Sequence, residues 1–445
     1  MNLSDISNPR EFAFLILTQT PRSMHITDFL RQNLTTTTLS HADKRLATDL
    51  VFNCIRRQGS LDILISRYSK YPLDTLTASV LTILRLGMYQ LNFMDRIPPF
   101  AAVNESVELV KQYDSKKSAG FVNAVLRTVI RDPKKIDEYV ASLAPMYKLA
   151  FTESHPVWLL NHLHRYYSFD EIASFCRFNN HVPPLIIRVN TRKISVEDFS
   201  SLLNRAHIDF QISPHHPACL RLTTSGDVRA LPGYTDGLFV VQDETPVLLL
   251  DSLTLGNTHP LTILDVCASP GGKTSYLAHK SHPDSRIVAV DISSAKIKKL
   301  NTNLQRLDIT NVTPFIADAT NLSALHSIAG DTRFDIIVVD APCSNTGVLR
   351  RRVEARWRLT DADLPRLASI QKSILRNALT LLKPTGQLLY STCSIDPQEN
   401  QHVIDAILHS NPTIKQHRQT LIFPQNPTSG DGGFGAVLSP QSSIL

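Results

Sequence analysis

The chain has 445 residues, of which 42% are hydrophobic and 19% charged, and it carries a formal net charge of +6. These proportions are those of a folded protein of several domains and exclude a disordered, collagenous or disulfide-stapled chain. No apolar run approaches the ~18 residues that would span a bilayer, and the short apolar stretch 12–17 has no small-residue cleavage site after it, so a cytoplasmic protein with no membrane partner is expected.

Residues 1–140 read as all helix. Segments 46–57, 76–91, 103–113 and 119–130 repeat apolar residues every three or four positions, and in the last Phe121, Val122, Val125, Leu126, Val129 and Ile130 share one stripe. Breaks are expected at Pro72, Pro98-Pro99 and Pro133, where proline removes a donor and restricts its predecessor. Eighteen Lys and Arg against fourteen Asp and Glu fall in this part, which permits a polyanionic partner without requiring one.

Residues 141–240 change character. A helical stretch at 156–178 and the break His181-Val182-Pro183-Pro184 lead into a strand at 185–189. A helix at 196–205, strands at 210–212 and 219–222 and a helix at 228–231 follow. Such a small α+β module suits either an RNA-binding appendage or a plain structural linker.

From about Leu261 onward strands and helices alternate. Strands are predicted at 262–266, 286–290, 313–316, 334–339 and 386–390, with helices notably at 295–307 and 364–382. This alternation implies a mostly parallel sheet covered on both faces, with ligands bound beyond the carboxyl ends of its strands. Three domains are therefore expected, at 1–140, 141–240 and 241–438.

The first predicted strand of that sheet runs into Cys267-Ala268-Ser269-Pro270-Gly271-Gly272-Lys273-Thr274, a glycine turn opening a helix. A nucleoside triphosphate loop would need glycine where Cys267 stands, and the dinucleotide pattern G-x-G-x-x-G is absent. S-adenosylmethionine has no phosphates to cradle, so a shorter loop suffices. The next strands end in Asp291 and Asp318, placed for ribose hydroxyls and an adenine amino group. Capping of the following helices is the ordinary role of each acid taken singly.

The fourth and fifth strands end in Asp340-Ala341-Pro342-Cys343-Ser344 and Ser391-Thr392-Cys393-Ser394. A lone cysteine at a strand end is usually a small buried hydrophobe. Two at neighbouring tips, each followed by serine, suit chemistry on carbon 5 of a cytosine. That atom is a poor nucleophile until a thiolate adds to carbon 6 and makes an enamine. A protonated carboxyl near N3 helps, a role that fits Asp340, and a base must later take the carbon-5 proton. Lys273 is a candidate cation for favouring the thiolate. Between the tips, Arg350, Arg351, Arg352, Arg356 and Arg358 with Trp357 suit either a phosphate grip with a stacking platform or a solvated charged loop.

Six scattered cysteines without a C-x-x-C pair, and the histidine pairs His162/His164 and His215/His216, match no zinc signature, so no metal is expected.

These motifs together resemble the RNA cytosine-C5 methyltransferases. The helical part, through Ala102-Val103-Asn104-Glu105-Ser106-Val107 and Gly120-Phe121-Val122-Asn123-Ala124-Val125-Leu126-Arg127, resembles a NusB-type RNA-binding domain. The pairing is similar to the bacterial RsmB-type enzymes of small-subunit (16S) ribosomal RNA. The resemblance implies a multidomain fold: an all-α NusB-like bundle, a small α+β RNA-binding module and a C-terminal α/β Rossmann-like methyltransferase domain. It implies Cys393 as nucleophile, with Cys343 assisting resolution of the adduct. It also implies S-adenosylmethionine held by Cys267, Ala268, Ser269, Pro270, Gly271, Gly272, Lys273, Asp291, Asp318 and Asp340, with ribosomal RNA as partner and no obligate protein partner. Ser269 stands where the family usually has alanine. Glycines in Asp431-Gly432-Gly433-Phe434-Gly435-Ala436 replace the usual aromatics, and residues 439–445 look unlike a packed strand, so a poorly packed last strand is expected. A non-catalytic RNA-binding factor is the competing expectation.

Overall fold

The computed structural model describes residues 3–21, 24–223, 227–256, 258–426 and 430–441. It forms two compact units, one of Met1–Asn180 with Arg352–Arg358 and one of His181–Arg351 with Leu359–Leu445.

The first unit is helical. Helices Pro9–Gln19, His41–Arg56, Gln58–Tyr68, Ala78–Phe93, Pro99–Tyr113 and Lys116–Arg131 pack around Phe12, Ile16, Leu50, Ile83 and Leu126, all fully buried. Side chains of Asn8, Ser40, Thr77 and Ser115 cap four of them by accepting amide hydrogens the first turn cannot satisfy. Of the predicted stripe, Val122, Val125, Leu126 and Val129 are buried, but Ile130 is exposed and Phe121 lies half-buried, edge-on to Tyr71. The stripe is narrower than periodicity alone suggests. The predicted helix at 156–178 is two, Val157–Leu163 and Phe169–Asn180. Ser168 starts the second through a capping box: its amide and hydroxyl donate to the Glu171 carboxylate, and the Glu171 amide donates back to Ser168 Oγ. Residues 141–180 lie with this helical unit, while the small sheet lies in the other.

The second unit holds two sheets. β1 (Leu185–Val189), β2 (Phe210–Ile212), β3 (Cys219–Leu222) and β4 (Phe239–Val241) make an antiparallel sheet in the order β2-β3-β1-β4. β5 (Thr262–Val266), β6 (Arg286–Asp291), β7 (Val312–Ile316), β8 (Phe334–Asp340), β9 (Leu382–Thr392), β10 (Ile414–Ile422) and β11 (Gly433–Pro440) form the larger sheet, ordered β10-β11-β9-β8-β5-β6-β7. β5 to β9 run parallel, and β11 is inserted antiparallel between β9 and β10. Ile263, Val266, Ile337, Val338, Val339, Leu388 and Leu389 are wholly buried, as strands covered on both faces require. The predicted helix at 364–382 ends at Leu379, and Leu382 already opens β9.

The last strand corrects the expectation of loose packing. β11 is buried from Gly433 through Ser439. Its glycines are the reason: a Cβ at Gly433 would lie 2.9 Å from Thr245 Cγ2, and one at Gly435 2.8 Å from Leu249 Cδ2. Helix Glu244–Leu250 therefore rests on bare backbone where aromatic residues would leave no room. Residues 442–445 of the expected loose tail lie outside the described residues.

Pairing registers level the strand tips. Val266 lies opposite Val290 and Val339, Asp291 opposite Ile316, and Asp340 opposite Ser391. The carboxyl ends of five parallel strands thus share one edge. Among the described residues no helix is long and apolar enough to cross a membrane.

Candidate active site

Cys267 leaves β5 at φ +64°, Ser269-Pro270 is a cis peptide, and Gly271 takes φ +103° before helix Gly272–Lys280 begins. Glycine is required at 271, because the backbone is left-handed and a Cβ would sit 2.7 Å from Leu300 Cδ1. The Ala268 amide donates to Val290 O at 3.0 Å, holding the loop to the tip of β6. Asp291, its side chain almost fully buried, accepts from the Ser269 amide at 3.0 Å, the Ile292 amide at 2.7 Å and Lys296 Nζ at 3.0 Å. Asp265 is wholly buried between strand and helix. One of its oxygens accepts from Thr274 Oγ1 at 2.6 Å, and the other has no hydrogen-bond partner. Burial pushes its carboxyl up to about 7. Burial, with Asp291 adding to it, likewise pushes the Cys267 thiol up to about 12.

Asp318 is exposed and accepts from the amide and hydroxyl of Thr320, at 2.9 and 2.8 Å, which closes its own turn. Two apolar side chains stand in solvent on the same edge: Ile292, next to Asp291, and Ile316, two residues before Asp318. Periodicity gives no hint of either, since Ile292 is a single apolar residue after a strand acid and Ile316 reads as an ordinary strand residue. Exposure is their signal.

The structure brings the two cysteines together. Cys343 Sγ and Cys393 Sγ are 3.2 Å apart, both partly accessible. Asn345, at φ +62°, spans them: its Nδ2 donates to Cys343 O at 3.1 Å, and its Oδ1 accepts from Cys393 Sγ at 3.3 Å. The hydrogen bond with Cys393, then burial, hold the Cys343 thiol well above its ordinary range, and the nearby Glu399 charge adds to this. Lys273 pairs with Asp340 at 2.7 Å and also lines the cleft that contains Cys393, Asp243, Thr392 and Gly432. Behind the cysteines lies Glu399, fully buried and bonded to Ser344, Ser394 and Gln371. Sequence reasoning passed over Glu399, Gln371 and Asn345, because each acts through partners distant along the chain.

Most of the arginine-rich stretch is neither a phosphate grip nor a solvated loop. In the second unit Arg350 is buried against Asp431, while Arg351 bonds Asp431, Asp243 at 2.9 Å and Pro184 O at 2.9 Å. Burial opposes the charge on Asp243, but the Arg351 guanidinium overrides it and holds that carboxyl below its usual range. In the first unit Arg356 is wholly buried and donates to Arg56 O, Ser154 O, Asn179 O and Asn180 Oδ1 at 2.9–3.2 Å. Desolvation pulls its guanidinium down to about 9. Trp357 donates Nε1–H to Ile55 O at 2.6 Å and packs against Gly59, where a Cβ would collide with its ring. These side chains are occupied holding the fold. Arg358 alone of the five is exposed.

The family model described as 16S rRNA methyltransferase RsmB/F matches residues 252–441, that of the NusB family residues 7–131, and that of an RsmF/B-like ferredoxin-like domain residues 155–229. Ribosomal RNA small subunit methyltransferase B of Cronobacter sakazakii is 34% identical over 406 residues, covering 90% of this chain and 91% of that protein. The crystal structure of PH0851 matches at a TM-score of 0.81 and 22% identity over 98% of this chain and 99% of that one. NSun6 from Pyrococcus horikoshii with SFG matches at a TM-score of 0.58 and 19% identity, over 65% of this chain and 100% of that one. At those identities the two structures show a common fold.

Proposed function

The chain belongs to the 16S rRNA methyltransferase RsmB/F family, and from that premise we propose that it methylates carbon 5 of a cytosine in small-subunit ribosomal RNA through a covalent bond from Cys393 to carbon 6. The observation that carries this reading is the pair of sulfurs 3.2 Å apart on neighbouring strand tips, beside the Lys273–Asp340 pair. A single cysteine would fit a buried filler. Two in contact at the ligand edge of a parallel sheet fit a nucleophile and its partner.

When bound, S-adenosylmethionine supplies an electrophilic methyl group. Its neighbour NSun6 was solved with SFG, an analogue of that cofactor, and the residues of this chain fit it. Gly271, at φ +103°, and Gly272 turn the backbone into the helix, and Asp265 keeps a buried oxygen unpaired between the strand and helix that flank them. Cys267, Ala268, Ser269, Pro270 and Lys273 complete the loop. Asp291 would hold the ribose and Asp318 the adenine amino group. Ile292 offers an apolar face beside them.

Cys393 adds as thiolate to carbon 6, and the electron pair of the 5,6 double bond moves to make carbon 5 nucleophilic. Asp340, protonated at that step, donates to N3 as charge develops there, and Lys273 places its carboxyl. Once the methyl is on carbon 5, a base takes the proton from that carbon. The carbon–sulfur electron pair then returns to Cys393, toward which the Cys343 thiol is placed to donate. Residues 1–140 and 141–240 serve as RNA-binding modules in this scheme, and 241–438 carry the chemistry, in the cytoplasm and without a metal.

Methyl transfer from labelled S-adenosylmethionine to unmethylated small-subunit RNA, followed by bisulfite sequencing, tests the reading. One protected cytosine is expected. Label on a base nitrogen or a ribose would overturn it.

A further inference from the structure

We propose that Glu399 is the positioning residue that holds the two cysteines in register, by tying the residue after each of them to one buried carboxylate. The inference rests on the roles just assigned to Cys343 and Cys393. Glu399 Oε1 accepts from the Ser344 amide at 2.8 Å and Gln371 Nε2 at 3.0 Å. Its Oε2 accepts from the Ser344 hydroxyl and from Ser394 Oγ at 2.6 Å. Gln371 also donates to Pro342 O at 2.9 Å, so the residues on both sides of Cys343 are held. Thr346 Oγ1 bonds Ser394 Oγ at 2.9 Å and accepts from the Ile395 amide at 3.1 Å, stitching the loops again. The backbone of Glu399 is itself anchored, since Tyr390 OH donates to its carbonyl oxygen at 2.6 Å.

All four donors are neutral, and Glu399 is wholly buried. Burial raises its pKa while the serine bonds pull it back. A buried carboxylate without a cation is an expensive way to fill space, and an apolar residue of similar size would fill it at lower cost. What the apolar residue could not do is collect donors from two separate loops at one point. Each of those loops carries one reacting sulfur.

The test reads geometry without RNA or cofactor. Under diamide, Cys343 and Cys393 each give up a proton and an electron to the reagent's nitrogen–nitrogen double bond, and a disulfide forms. Its rate, followed by peptide mass spectrometry on the whole enzyme, depends on how often the sulfurs meet. Glu399→Ala is expected to slow it by ~10-fold or more, and Glu399→Gln to restore most of it. Both variants remove the charge, so the difference between them isolates position. In methyl transfer, Glu399→Ala is expected to lower kcat by ~10²-fold, with KM for the cofactor within about twofold and rescue by Gln. Should Glu399→Ala not fold, Ser394→Ala and Ser344→Ala each cut one tie and are expected to slow the disulfide to a smaller degree. Unchanged disulfide rates in Ala, or a Gln variant as slow as Ala, would overturn the proposal. A wild-type chain that forms the disulfide in this pattern but never methylates RNA would instead count against the function.

Discussion

The tips of β8 and β9 and the arginine-rich stretch between them are equally dense in chemically capable side chains, yet they do opposite work. At the tips, Cys343, Cys393 and Asp340 stay partly accessible. In the stretch, Arg350 and Arg356 are buried and bond Asp431 and backbone carbonyls. Position on the fold, rather than residue type, separates a reacting group from a structural one. A tip residue faces the ligand edge because the sheet register puts it there. A guanidinium with five donors can satisfy several orphaned carbonyls as readily as a phosphate.

This contrast is sharpened most by Cys393→Ala. Methyl transfer is expected to fall on the order of 10⁴-fold or more, while thermal stability stays near wild type, as measured by parallel turnover and melting curves. Arg356→Ala should invert the pattern. It leaves several buried carbonyls without donors, so a loss of ~3–5 kcal/mol in denaturant unfolding of the helical unit is expected. RNA affinity that drops with stability intact would break the comparison.

A finer test uses a buried charge on the ligand edge. Asp265 moves from 3.8 to about 7 on folding, so the native state keeps a proton that the unfolded chain gives up. Its stabilising contribution is full below about pH 4 and is lost as pH climbs to about 7. Asp265→Asn should flatten that slope by a few kcal/mol at most, roughly the worth of the shift. A stability profile between those pH values identical to wild type would contradict the assignment.

Much of the fold was legible in the sequence, and the exceptions have physical causes. β5, β6, β8 and β9 announce themselves as short apolar runs because parallel strands inside the sheet are buried on both faces, and the edge strand β7 shows through Val312, Thr313, Phe315 and Ile316. β10 escaped notice because it is a polar edge strand, Ile414–Ile422, with much of its length accessible. β11 was misjudged because its glycines answer to Leu249 and Thr245, nearly two hundred residues earlier. At the site, the cysteines were visible from their place at strand ends. Glu399 and Asn345 were not, since an acid and an amide in loops acquire meaning only through the partners that folding delivers. The arginines misled for the same reason.

The central claim is a bond between one sulfur and one base, and trapping it is the most direct test. Incubated with target RNA and S-adenosylmethionine, Cys343→Ala should accumulate a protein–RNA adduct that survives a denaturing gel and maps to the peptide holding Cys393. An adduct on any other residue, or a protein band that stays wholly free, would contradict the account.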